Sequence, residues 1–326
     1  MPDTGAGRGL HRFAVFTAVA TLCSIVAGGL VTSTESGLSV PDWPLSYGKL
    51  MPPMVGGVFY EHGHRMVASF VGLLTIVLAV WLARREPRRW VRGLGYAALG
   101  AVVAQGVLGG LTVLFLLPTA VSVAHACLAQ IFLCSTVAIA VVTSPAWIEG
   151  SPAGGDPVAK AAAAASGAIF LQLLVGALMR HTKAGLAIPD FPLSLGRVVP
   201  PLDSFPVAIA FAHRAGAVLV AGLVLFAAVR AFRSGRSGLA KGGVFLLALV
   251  AVQIALGAFT VLSRKAVPVT TAHVAAGALL LGSTLALCLA AWPRGFRRRH
   301  SLRERRPRVL RPERGTVATA WHGPAL

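Results

Sequence analysis

Residues 37–53 read GLSVPDWPLSYGKLMPP, and residues 185–201 read GLAIPDFPLSLGRVVPP. The two strings correspond position for position at an offset of 148 residues, each in a Pro- and Gly-rich stretch between apolar runs. The same offset pairs Gln105 with Gln253, Gly109 with Gly257, Thr112-Val113-Leu114 with Thr260-Val261-Leu262, and His125 with His273. After one extra residue in the second stretch the offset is 149, and His64-Arg65 corresponds to His213-Arg214. Chance is a poor explanation for so many matches in one register. The chain reads as a duplicated unit, roughly residues 10–150 and 158–292.

Composition says what the unit is made of. The 326 residues are 56% hydrophobic and 13% charged, and the mean hydropathy is +0.74. A soluble domain carries about 25% charged residues, so a plain cytosolic enzyme and a disordered chain are both excluded. Runs near residues 13–32, 62–83, 93–117, 120–143, 161–179, 206–229, 243–262 and 268–291 are each apolar enough to cross a bilayer, which takes ~20 residues. A unit with an even number of spans repeats in one orientation. The two copies are then expected to be related by a pseudo-two-fold along the membrane normal. The expected architecture is an all-α integral membrane protein whose eight transmembrane helices form two pseudosymmetric four-helix bundles. The expected division is residues 1–155, residues 156–292, and a basic tail, 293–326, that is solvated and disordered or touches anionic lipid.

Eight spans put both termini on one side, and charge chooses the side. Of the 30 Lys and Arg residues, 22 fall in the termini and in the connections on their side, and 8 on the other. The positive-inside rule makes the termini cytoplasmic. The net charge of +19 is thus a topology signal and not a nucleic-acid surface. Arg8 and Arg12 ahead of an apolar run resemble a signal peptide, but the run is long and ends in no small-residue cleavage site, so it reads as an uncleaved first span. The four cysteines, Cys23, Cys127, Cys134 and Cys288, all fall inside apolar runs. They form no CxxC or CxxCH pair, and read as small buried hydrophobes.

Nine histidines are present. His11, His300 and His322 belong to the cytoplasmic ends and His181 to the second outer loop. The repeat selects four others, His64 and His125 in the first half and His213 and His273 in the second. Ionisable residues inside spans are expensive and commonly functional. Within each half the second and fourth spans run the same way, so their outer ends can face each other across a bundle core. Paired imidazoles from facing helices suit axial ligation of haem iron, whereas a compact zinc site wants three or four protein ligands. Arg65 and Arg214 follow two of these histidines. They read either as partners of haem propionates, which a guanidinium binds bidentately, or as snorkelling anchors.

One position breaks the symmetry. Glu61 precedes His64 by three residues and so shares a helix face with it, while the 149 offset places Ala210 in the second half. Both halves are therefore expected to bind haem and only the first to do chemistry. The bland alternative makes Glu61 a solvated loop carboxylate. His62 is a rival ligand to His64, but Phe211 is its counterpart, and duplication favours His64.

GLVTSTESGLSVPDWPLSYG, then EHGHR, then the span with His125, all doubled, resemble the haem A synthase family across about residues 10–292. The resemblance implies an eight-helix enzyme of the bacterial plasma membrane that oxidises a ring methyl of haem O to a formyl group, making haem A for terminal cytochrome oxidase. It implies His64 and His125 around the substrate haem, His213 and His273 on a resident haem b, and Glu61 as the catalytic acidic residue. It also implies partners: haem O synthase and cytochrome oxidase assembly proteins, with membrane lipid around the chain and no nucleic acid. Many members carry paired cysteines in the outer loops. Here SGLSVPDWP and AGLAIPDFP have none, so this is a cysteine-free branch in which no outer-loop disulfide can act. A bis-His di-haem electron-transfer cytochrome is the alternative, and Glu61 in one half alone argues against it. A transporter would need broken helices and a polar midplane.

Overall fold

The computed structural model describes residues 4–149 and 156–292, and the basic tail lies outside them. Among the described residues eight helices are long and apolar enough to span a membrane. They are α1 (Thr4–Ser33), α2 (Gly57–Arg85), α3 (Arg89–Leu114), α4 (Thr119–Val142), α6 (Pro157–His181), α7 (Phe205–Arg233), α8 (Ser237–Leu262) and α9 (Val267–Ala291), with a short α5 (Pro145–Glu149) between α4 and α6. The protein is an all-helical integral membrane protein. Helices of this kind satisfy every backbone polar group within the segment and without water.

Most helices outrun the apolar runs that announce them, because polar residues and caps extend them. α2 begins at Gly57, five residues ahead of its apolar run, so Glu61 belongs to the helix and not to the loop. α6 likewise includes Arg180 and His181. Its start is set by Asp156, whose carboxylate accepts from the Val158 N–H at 2.8 Å, and by Pro157 in the first turn, where a missing N–H costs nothing. α3 stops earlier than its apolar run, at Leu114. Leu116 and Leu117 take left-handed φ of 57° and 60°, and the Leu117 N–H closes the helix on the Thr112 carbonyl at 2.7 Å. Pro118 then bars further helix.

In the first half α1 packs on α2 and α4, and α3 on α2 and α4. This four-membered ring places α2 and α4 at opposite corners. In the second half α6 packs on α7 and α9, and α8 on α7 and α9, so α7 and α9 are the opposed pair. The halves meet where α9 packs on α1 and α4, and α4 on α6. Two apolar clusters fill the end of the rings on the side of the termini. One contains Leu10, Leu78, Leu82, Val91 and Ile139, and the other Val158, Val224, Leu239, Leu246 and Leu287. The opposite end holds the histidines and is closed by the two long loops.

Those loops share one local geometry. Asp42 accepts from the N–H groups of Tyr47 and Gly48 at 2.7 and 2.8 Å, and Asp190 from those of Leu195 and Gly196 at 2.8 Å each. Ser46 and Lys49 form an isolated antiparallel bridge, as do Ser194 and Arg197. Left-handed φ recurs at Glu35 and Lys183, Tyr47 and Leu195, and Gly48 and Gly196, each pair 148 residues apart. Trp43-Pro44 and Phe191-Pro192 are both cis.

Candidate functional site

His64 stands seven residues into α2, His125 six into α4, His213 eight into α7 and His273 six into α9. At a rise of ~1.5 Å per residue all four lie about 9–12 Å along their helices from the loop end. They therefore occupy one layer, inside the rings and below the loops.

Each ring is seated on a glycine of an adjacent helix. A Cβ on Gly28 would come within 3.1 Å of His64 Cε1, on Gly109 within 3.3 Å of His125, on Gly176 within 2.9 Å of His213 and on Gly257 within 3.1 Å of His273. These contacts are tight enough that an alanine would move the imidazole. Gly28 and Gly176, and Gly109 and Gly257, are again 148 residues apart.

The His213 and His273 rings are neighbours in a T-shaped arrangement, with centroids 6.4 Å apart and planes at 74°. A metal between two imidazoles needs about 2 Å to each nitrogen and about 1.2 Å from nitrogen to ring centre, which sums to about 6.4 Å. His64 and His125, from the opposed α2 and α4, lie within electrostatic reach of each other. Nδ1 of His64, His125 and His273 has no side-chain partner and lies toward the backbone of Ser24, Gln105 and Gln253, and Nε2 of His62 is also buried without a partner. An orphaned buried imidazole nitrogen is costly unless something pairs with it. Among the described residues no three His, Cys, Asp or Glu side chains converge. The donor set thus offers imidazoles in pairs, which fits a porphyrin iron and not a bare tetrahedral ion.

The polar neighbours differ between the halves. The Gln172 carboxamide nitrogen donates to the His213 carbonyl at 2.6 Å and lies 3.0 Å from its Nδ1. The carboxamide fits because Gly216 leaves the space. The corresponding first-half positions hold Ser24 and Val67, so His64 has no such clamp. Gln105 in α3 donates to the His125 carbonyl at 2.9 Å. Sequence reasoning missed Gln172, and its signal was available: a lone amide inside a poly-apolar span.

Glu61 is buried, with 4% of its surface exposed, so it is not a solvated loop carboxylate. Oε2 accepts from the Val40 N–H at 2.9 Å and Oε1 from Arg65 at 2.7 Å. Ala210 at the matching place is equally buried and leaves the second loop without this strap. His62 Nδ1 lies 2.8 Å from Ser46 Oγ, which ties that ring to the loop.

Arg65 and Arg214 hold the loops. Arg65 donates to the carbonyls of Asp42 and Leu45 at 2.8 and 2.9 Å. Arg214 donates to those of Leu193 and Ile188, both at 2.8 Å. This is a third role beside the two expected for them: each guanidinium nails the outer loop across the mouth of its ring. Trp43 of the first loop lies on Gly110 of α3, where a Cβ would come within 2.6 Å of the indole, one residue from the glycine that seats His125.

Fold and site together define a polytopic membrane protein with paired imidazoles buried at one level in two helix rings. The chain matches the profile of the cytochrome oxidase assembly protein family over residues 11–56 and 55–285, and it belongs to that family. It is 33% identical to a haem A synthase of Symbiobacterium thermophilum over 77% of this chain and 85% of the relative. It is 30% identical to a haem A synthase of Halalkalibacterium halodurans over 82% and 91%. A haem A synthase of Beijerinckia indica is also 30% identical, over 88% and 94%.

Proposed function

We propose that this chain is a haem A synthase, an enzyme of haem A biosynthesis that oxidises a ring methyl of haem O to a formyl group. The supporting observation is two imidazole couples at one depth with a buried carboxylate beside only one of them. In this reading His64 and His125 receive haem O, and His213 and His273 hold a resident haem b that supplies electron transfer when bound. The Gln172 clamp supports a permanent occupant for the second couple, and its replacement by Ser24 supports an exchangeable one for the first. The recurrence of loop bonds and backbone angles 148 residues apart supports an origin by duplication, with residues 1–155 as the substrate half and 156–292 as the haem b half.

The chain's own residues do two things. The imidazoles and their seating glycines fix the position of the macrocycle, and Arg65 and Arg214 hold the loops that limit water at the mouths. Where electrons leave the methyl carbon for the acceptor ahead of its proton, positive charge develops nearby, and a preorganised carboxylate would stabilise it without reorganisation. Glu61, already fixed by the Val40 N–H and Arg65, suits that electrostatic role better than proton carriage. Haem extracted from cells expressing wild type and Glu61→Ala tests the reading. Wild type is expected to yield haem A and the variant to accumulate haem O. Equal haem A from both removes Glu61 from the mechanism.

A further inference from the structure

Arg180 ends α6 at the level where the halves meet. Its Nη2 donates to Ser33 Oγ at 2.8 Å and to the Gly29 carbonyl at 3.3 Å, both on α1. Ser33 in turn accepts from Thr271 Oγ1 of α9 at 3.1 Å. The guanidinium is partly buried among three helices, and every acceptor it has there is neutral. Three ion pairs join described residues, Arg65–Glu61, Arg88–Glu86 and Arg236–Asp156, and Arg180 is in none of them. His181 and His273 lie within its electrostatic reach, and neither brings a negative charge. Position 32, its counterpart in the first half, is Thr.

An arginine inside a span without a counter-charge is a binding site in need of an anion. A guanidinium presents a fork of donors matched to a carboxylate. Of the other two arginines near the histidine layer, Arg65 spends its donors on loop carbonyls and Glu61, and Arg214 on loop carbonyls. We infer that Arg180 binds a propionate carboxylate of the haem held by His213 and His273, from the seam between the halves. The inference rests on the haem reading above and adds to it the residue that orients the macrocycle. Arg180 is a positioning residue: it touches the periphery of the cofactor and not the iron. The same fork could take the phosphate of an anionic lipid headgroup at the outer surface, and the experiment separates the two.

The test uses the full chain, purified in detergent from a haem-deficient host and titrated with haem b or with its dimethyl ester, whose propionates are uncharged. Wild type is expected to bind the diester about ten- to a hundredfold more weakly than haem, the worth of a hydrogen-bonded charged contact. Arg180→Gln keeps a donor for Ser33 and is expected to bind both forms with the weaker affinity. Arg180→Lys is expected to recover most of the preference. The midpoint potential of the bound haem is expected to fall in Arg180→Gln, because a cation beside the porphyrin is lost. The diester arm on wild type needs no folded variant. Equal affinity of wild type for haem and diester overturns the inference. So does a preference that vanishes when anionic phospholipid is added to the micelles, which assigns the fork to a headgroup. Failure of wild type to bind either porphyrin sinks the haem reading itself and is a separate outcome.

Discussion

At the scale of single residues the site is a matter of absent atoms as much as present ones. The four histidines are seated by four glycines, and the tightest seat is Gly176, 2.9 Å from where a Cβ would meet His213 Cε1. Overpacking of this kind costs about 1–3 kcal/mol when the structure has to shift, and here the shift falls on the imidazole. Gly176→Ala is therefore expected to lower the haem retained per chain, measured by pyridine haemochromogen against protein. Gly222→Ala, on α7 with no atom near the added methyl, is expected to leave it unchanged. Equal retention in the two variants removes the glycine from the site. The sequence carried His64, His125, His213, His273 and Glu61 because duplication, and its failure at Ala210, are visible in one dimension. The seats at Gly28 and Gly176 share the repeat offset but carry no signal of their own, since a glycine in an apolar span has many ordinary reasons to be there. Arg65 and Arg214 were recognised as residues of interest, but their bonds to loop carbonyls depend on where the loop folds back. No spacing encodes that.

At the scale of elements, the eight spans were legible and their ends were not. Hydropathy marks the stretch that prefers lipid, whereas a helix continues until a cap stops it. That is why α2 reaches back to Gly57 and draws Glu61 out of the loop. The outer loops show what sequence could say only as a repeated string. The Asp42 carboxylate is held below the usual carboxylate range by the N–H groups of Gly48 and Tyr47, and Asp190 by those of Gly196 and Leu195. A carboxyl group lowered on folding stabilises the loop above its unfolded pKa, about 3.9, and the contribution is lost as pH falls through the folded value. The loop is therefore expected to be equally protected at pH 7 and pH 5 and to loosen only below about pH 4. Amide hydrogen exchange within residues 37–53, corrected for the intrinsic pH dependence of exchange, reads it directly. In Asp42→Asn one acceptor oxygen becomes a donor facing a backbone N–H. Faster exchange in that variant is expected at pH 5 already, and an unchanged pH profile would show that the clamp does not hold the loop.

At the scale of the whole molecule, the question is which way the histidine layer faces. The helix α9 packs on α1, α4, α6 and α8, and small residues let it approach: Gly29 meets Val274 and Thr271 across the seam, and Gly282 meets Val137. Close packing of this kind is what holds helices together in lipid, where apolar burial offers no advantage. The two rings thus share one orientation. The loops that cover the histidines leave the bundle at the end opposite the termini, and 22 of the 30 basic residues belong to the terminal side. From the positive-inside rule the imidazoles are expected near the outer leaflet. The four native cysteines all fall within spans, out of reach of a membrane-impermeant maleimide, so single reporters can be added without removing them. Lys49, exposed in the first outer loop, and Arg85, exposed at the far end of α2, mark the two faces. Lys49→Cys is expected to label in intact cells and Arg85→Cys only after permeabilisation. The reverse pattern would place both histidine couples at the cytoplasmic leaflet and would give the haem proposed for them a cytoplasmic route of entry.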